Sequence, residues 1–134
     1  LSGKIEISGV QGHVAYPHLS NNPINTLVNI CKKLKQKKLD KGNKNFQPSN
    51  LEFTSINVNN KAHNVIPARA SAQFNIRYNN FHNANSLKKK INSEIKTAML
   101  AKNAKKLDAL RAIKSVILLL KLSISISSDL LIFS

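Results

Sequence analysis

The sequence holds one cysteine, three arginines and six acidic residues among 134, and it has no long apolar run. Each shortage excludes something. The single Cys31 has no partner for an internal disulfide, which fits a reducing compartment. It sits at an apolar helix position with no base beside it in sequence, so it reads as a small buried group, not a nucleophile. A catalytic zinc usually needs three protein ligands. None of the few carboxylates accompanies a histidine, and His13 and His18 are split by Pro17, unlike the i, i+4 pair of a helical zinc site. No metal ligands are therefore expected in this chain. The longest late apolar run, Val116-Ile117-Leu118-Leu119-Leu120, falls far short of the roughly 20 residues that span a membrane. No signal peptide opens the chain, so a cytoplasmic location, with no membrane partner, is the default expectation.

What is abundant is lysine and asparagine, 18 of each, with a formal net charge of +15. A nucleic-acid site would more often use arginine, whose planar fork matches phosphate and guanine. The basicity is read as solvated surface, and specific nucleic-acid binding is not expected. The length predicts one domain with an appendage. Leu1 is no initiator methionine and strand pattern begins at once, which reads as a piece of something larger.

Along the chain, Ile5 and Ile7 alternate with Lys4, Glu6 and Ser8, predicting a strand over 3–9. Gly9 and Gly12 bracket the turn that follows. Asn22 is placed to cap a helix and Pro23 suits its first position. Ile24, Leu27, Val28, Cys31 and Leu34 form its expected apolar stripe. A strand over 51–58 switches parity midway, which a bulge or two-sided burial explains. The clearest strand covers 69–78, with Ala70, Ala72, Phe74, Ile76 and Tyr78 on one face. Ser86 is the expected cap of a second helix carrying Leu87, Ile91, Ile95 and Met99. The order predicts an α+β fold, a ferredoxin-like β-α-β-β-α layer with an appended C-terminal helical segment. Lys102-Asn103 is a candidate break. Residues 94–121 read as a helical hairpin or one long helix, and 122–134 as an edge strand or a disordered tail.

The most informative stretch is the loop Gly9-Val10-Gln11-Gly12-His13-Val14-Ala15-Tyr16-Pro17-His18-Leu19, followed by Asn22-Pro23-Ile24. Reactive side chains often sit on such loops between rigid elements. With Lys41-Gly42-Asn43, Asn64-Val65-Ile66-Pro67-Ala68 and Phe74-Asn75-Ile76-Arg77-Tyr78, it resembles the small inserted lid of the succinyl-diaminopimelate desuccinylase branch of the M20 metallopeptidases. The resemblance covers 3–91, so the expected domains are a dimerisation lid over 1–92, a helical segment over 93–121 and the tail. Glu94-Ile95-Lys96-Thr97-Ala98-Met99-Leu100-Ala101-Lys102 and Leu107-Asp108-Ala109-Leu110-Arg111-Ala112-Ile113-Lys114-Ser115 resemble the opening helices of the YqeY-like family, which is tRNA-linked.

The lid resemblance implies an amide hydrolase that releases succinate and L,L-diaminopimelate in lysine biosynthesis. It implies two zinc ions in a separate catalytic domain missing from this chain, and a homodimer formed through the lid. It also implies that His13 reaches the partner's active site and stabilises the oxyanion, and that Tyr16, Asn64 and Arg77 contact substrate. A guanidinium such as that of Arg77 can clamp a carboxylate through two hydrogen bonds. Without the catalytic domain the chain is expected to be inactive. The rival reading is a non-catalytic dimerisation or interaction module, or a gene-fusion remnant.

Overall fold

Alternation of apolar and polar side chains builds three long strands, with one switch of parity in the second. In the computed structural model, which describes residues 1–107 (side chains only to 101), they are β1 (Ser2–Ser8), β3 (Asn50–Asn57) and β5 (Arg69–Arg77). They form one antiparallel sheet in the order β1-β5-β3. Two-residue strands β2 (Gly12–His13) and β4 (Val65–Ile66) make a separate ladder, and the helices are α1 (Pro23–Gln36) and α2 (Ala84–Leu107). A single 3-10 turn, Pro17–Leu19, lies in the first loop. The long elements follow the expected β-α-β-β-α order.

Register fixes which side of the sheet is dry. Ile5 stands opposite Ala72, Ile7 opposite Ala70, and Leu51 opposite Ile76. Directly opposed residues share a face, so these line the helix side and Lys4, Glu6, Ser71 and Gln73 the other. Phe74, Ile5, Ile7, Ile76, Leu27, Ile30, Leu87 and Ile91 are essentially inaccessible and join the two helices to the sheet. Each such side chain contributes roughly 1.5–3 kcal/mol of burial. The parity switch in β3 is a register shift between Phe53 and Ser55, as a bulge requires.

Caps define where the helices begin. Asn22 Oδ1 accepts from the Ile24 N–H at 3.0 Å, with Pro23 first in α1. The second cap corrects the sequence expectation. Asn83, not Ser86, caps α2: its Oδ1 accepts from Ser86 N–H at 2.8 Å, and Ser86 Oγ accepts from Asn83 N–H at 3.2 Å. This reciprocal pair is a capping box with serine in the third position. Lys102-Asn103 does not break α2, which runs through to Leu107. Val28 is also corrected. It is 54% exposed, and Thr26 and Ile30 take its place in the buried stripe. Tyr78, expected on the apolar face, lies just beyond β5 and is exposed. The part of the expected helical segment beyond 107 and the tail over 122–134 lie outside the described residues.

Candidate functional site

The His13 loop is held at both ends. Gly9 N–H donates to Ala68 O at 2.7 Å, and Val10 and Asn21 exchange backbone hydrogen bonds of 2.9 and 3.0 Å. Gly9 is obligatory here, because a Cβ would lie 2.1 Å from Asn21 O. Beyond it, Gly12 pairs with Ile66 and His13 with Val65. Val14 N–H then donates to Asn64 O at 3.0 Å, so His13 and Asn64 come from different loops onto one short ladder. Asn60 Nδ2 donates to Val65 O at 2.8 Å and steadies the second loop from behind.

The side-chain geometry fixes the histidine's chemistry. Ala15 N–H donates to His13 Nδ1 at 3.0 Å. In the neutral ring, an accepting Nδ1 leaves the proton on Nε2. His13 thus presents an Nε2–H donor on an exposed loop. Its ring centroid lies 5.8 Å from that of Tyr16, and the Tyr16 ring lies edge-on to His18 at 6.4 Å. Tyr16 is 56% exposed, so it is not the packing residue a buried tyrosine would be. His13, Tyr16 and Asn64 therefore share one end of the molecule.

Arg77 does not join them. It closes β5 at the end where Asn50 pairs with it, whereas the His13 ladder adjoins the Arg69 end. The eight residue steps from Arg69 to Arg77 span about 26 Å of strand. The chain therefore presents His13 and Arg77 at opposite ends of β5.

These residues do not enclose a site. The three principal clefts, of about 370, 410 and 350 Å³, are lined by none of the four. Among the described residues, no three His, Cys, Asp or Glu side chains group closely enough to hold a metal ion. The described part of the chain therefore does not fit a dinuclear zinc centre. No helix among the described residues is long and apolar enough to cross a membrane.

The sequence reading missed a second polar cluster, at the Arg77 end. Asp40 Oδ1 accepts from Gly42 N–H at 2.8 Å, Ser49 N–H at 3.1 Å and Asn79 Nδ2 at 2.9 Å, and its Oδ2 lies 2.9 Å from His82 Nε2. Burial alone would raise this carboxyl's pKa. The hydrogen bonds from Ser49, Asn79 and Gly42 outweigh that and hold it well below the usual carboxylate range. His82, which has no role in the sequence reading, thus helps tie the 40–49 loop to the turn before α2.

Comparison with known proteins gives this geometry its context. Residues 1–103 match the M20 peptidase dimerisation domain. The match runs through Glu94–Lys102, the phrase that also resembles the YqeY-like family. The chain is 52% identical over 96 residues to a succinyl-diaminopimelate desuccinylase of Pelagibacter ubique, covering 72% of this chain and 25% of that enzyme. It is 57% identical over 90 residues to the protein of that name from Ehrlichia chaffeensis, covering 67% and 24%. The chain thus spans about a quarter of the length of the curated relatives it matches. Among solved structures, the fold is shared with AtUAH in complex with (S)-hydroxyglycine (TM-score 0.60, 18% identity, 75% of this chain and 23% of that one). It is also shared with an aminobenzoyl-glutamate utilization protein from Klebsiella pneumoniae (TM-score 0.53, 13% identity, 72% and 23%). On residues 1–103, this chain belongs to the M20 peptidase dimerisation domain family.

Proposed function

We propose that the chain is the dimerisation lid of a zinc-dependent N-succinyl-L,L-diaminopimelate desuccinylase, inactive without a catalytic domain. The observation that supports this reading is the state of His13: Nδ1 is engaged by Ala15 N–H, which leaves the Nε2–H donor on an exposed side chain. In the reaction, water adds to the succinyl carbonyl and negative charge develops on its oxygen. The C–N bond then breaks, and the amine leaves with a proton, giving succinate and L,L-diaminopimelate. The His13 Nε2–H donates to that oxyanion. Removing one such donor typically costs 10²–10³ in rate. Asn64 and Tyr16 orient the substrate beside His13. Arg77, at the other end of β5, holds a carboxylate in a different active site from the one its own His13 enters.

The dimer surface is assigned to α1 and β3. Lys35 donates to Leu51 O at 2.9 Å and to Glu52 at 2.7 Å, so its side of α1 faces β3. Val28, seven residues earlier and on the same helix side, is 54% exposed. Ile56 stands opposite buried Ala72, on the helix side of β3, yet is 59% exposed. Both lie beside a sheet edge that is unpaired among the described residues. Such an apolar strip beside an open strand suits a second copy.

The test mixes the full chain with a separately prepared metal-binding remainder of a relative and follows succinate release. The wild-type chain should restore turnover, and His13→Ala should lower it about 10²–10³-fold. Equal rescue by His13→Ala, or no rescue by the wild type, would contradict the reading.

A further inference from the structure

The polar face of the sheet ends in a cleft of about 370 Å³ beside the His13 ladder. Register puts Lys4 and Glu6 of β1, Ser71 of β5 and Asn57 of β3 on this face. Arg69 opens β5 at the same end. Glu6 stands between two cations: its Oε2 lies 3.7 Å from Lys4 Nζ, and its Oε1 lies 3.6 Å from Arg69 Nη1. Both separations exceed a hydrogen bond, so neither cation is locked onto the carboxylate. The Arg69 side chain is 74% exposed, which leaves most of its forked donors open. Val65 and Pro67 give the cleft one apolar wall, and Gln11 and Asn59 add exposed carboxamides. Asn60 steadies that wall by donating to Val65 O at 2.8 Å.

This pattern selects a ligand by charge. A simple anion is repelled by the Glu6 carboxylate, and a simple ammonium by Lys4 and Arg69. A free α-amino acid group carries both signs on neighbouring atoms. Its ammonium answers Glu6, and its carboxylate answers the Arg69 fork with Lys4 close by. We propose that this cleft is the subsite for the second amino acid group of the substrate, the one far from the succinyl amide. The assignment of the substrate rests on the lid reading above. Reach supports it. His13 stands directly opposite Val65, a lining residue, so their side chains share a face of the ladder with Cα atoms about 4.5–5.5 Å apart. In N-succinyl-L,L-diaminopimelate, six bonds, or about 7–8 Å when extended, separate the amide carbonyl carbon from the distal α-carbon. With the oxyanion on His13, the distal group arrives at the cleft and the methylenes between lie along Val65 and Pro67. Lys4, Glu6 and Arg69 are thus specificity residues that take no part in breaking the amide.

The experiment titrates the full chain, followed by amide NMR, with L,L-diaminopimelate, with pimelate, which lacks both amines, and with cadaverine, which lacks both carboxylates. Signals of 4–6, 57–60 and 69–71 should shift with diaminopimelate, and the same shifts should need about tenfold more pimelate or cadaverine. Glu6→Gln should weaken diaminopimelate binding about tenfold. In the succinate-release mixture above, the same variant should raise KM for the full substrate about tenfold with kcat little changed. KM for N-succinyl-L-norleucine, which lacks the distal amino acid group, should not move. Equal shifts with all three ligands, or none with diaminopimelate, would overturn the subsite. Rescue of turnover with a KM indifferent to Glu6→Gln would overturn the subsite and leave the lid reading intact. Binding selective for diaminopimelate without any rescue would support the selectivity of the cleft and overturn the lid reading. If Glu6→Gln does not fold by circular dichroism, the three-ligand comparison on the wild type decides alone.

Discussion

Gly3 sits opposite Phe74 in the β1–β5 ladder. A Cβ at Gly3 would lie 2.3 Å from Phe74 Cζ, 2.7 Å from Cε1 and 2.9 Å from Cε2. Carbon atoms rest at about 3.5–4.0 Å, so the ring must retreat by more than about 1 Å. It has little freedom to do so, being 1% exposed with Phe53 edge-on at 6.1 Å. Overpacking of this kind costs roughly 1–3 kcal/mol. Alanine recovers up to about 1 kcal/mol by restricting the unfolded backbone, so Gly3→Ala should destabilise by about 1–2 kcal/mol. With a urea m-value of about 1–2 kcal/mol/M, the midpoint should fall by roughly 1 M. The cause is separable by a double-mutant cycle. Phe74→Leu removes the ring atoms that clash, so Gly3→Ala should be nearly neutral in that background, with a coupling of about 1 kcal/mol or more. Wild-type stability for Gly3→Ala, or additive effects in the cycle, would refute the steric argument.

Other consequences follow from single contacts. Asp40 is held below its ordinary pKa, so its contribution is fully present above about pH 3.9 and is lost as pH falls through the lowered folded value. Urea midpoints should therefore show Asp40→Asn less stable than wild type near neutrality, with the gap closing as acid is added. Cys31 is buried and its thiol is pushed up to about 11, so a thiol reagent at about pH 8 should label it only as urea unfolds the chain. If α1 and β3 form the dimer surface, Val28→Asp with Ile56→Lys should shift sedimentation toward the monomer without lowering the melting temperature, since both side chains are more than half exposed.

β1 and β5 were legible because each repeats a period of two over a buried face, β3 only with a switch of parity, and Asn22-Pro23 marked the start of α1 by an equally local signal. Val28 was misread because a 3.6-residue period draws an apolar stripe without saying which flank a neighbour covers. α1 meets the sheet along Leu27, Ile30 and Leu34 and leaves Val28 at the open edge. Asn83 was missed because Ser86 alone satisfies a cap pattern, and only geometry shows which residue is outside the helix. The Asp40 cluster joins residues 39 and 42 positions apart, a distance at which sequence carries no local signal; Gly42 in an asparagine-rich turn was its only trace. Of the candidate site, the His13 loop and the Asn64 loop were recognised as phrases. Their meeting through a ladder of two residues per strand was not, because two residues are too few to show a period. The separation of Arg77 from them follows from the nine-residue length of β5.

The most direct test of the lid reading is a graft. Residues 1–96 replace the matched segment of the Pelagibacter ubique desuccinylase, and kcat is measured for succinate release. The account predicts a dimeric, active enzyme that loses about 10²–10³ in kcat on His13→Ala with little change in KM. A folded, dimeric graft that is inactive, or one indifferent to His13→Ala, would contradict it.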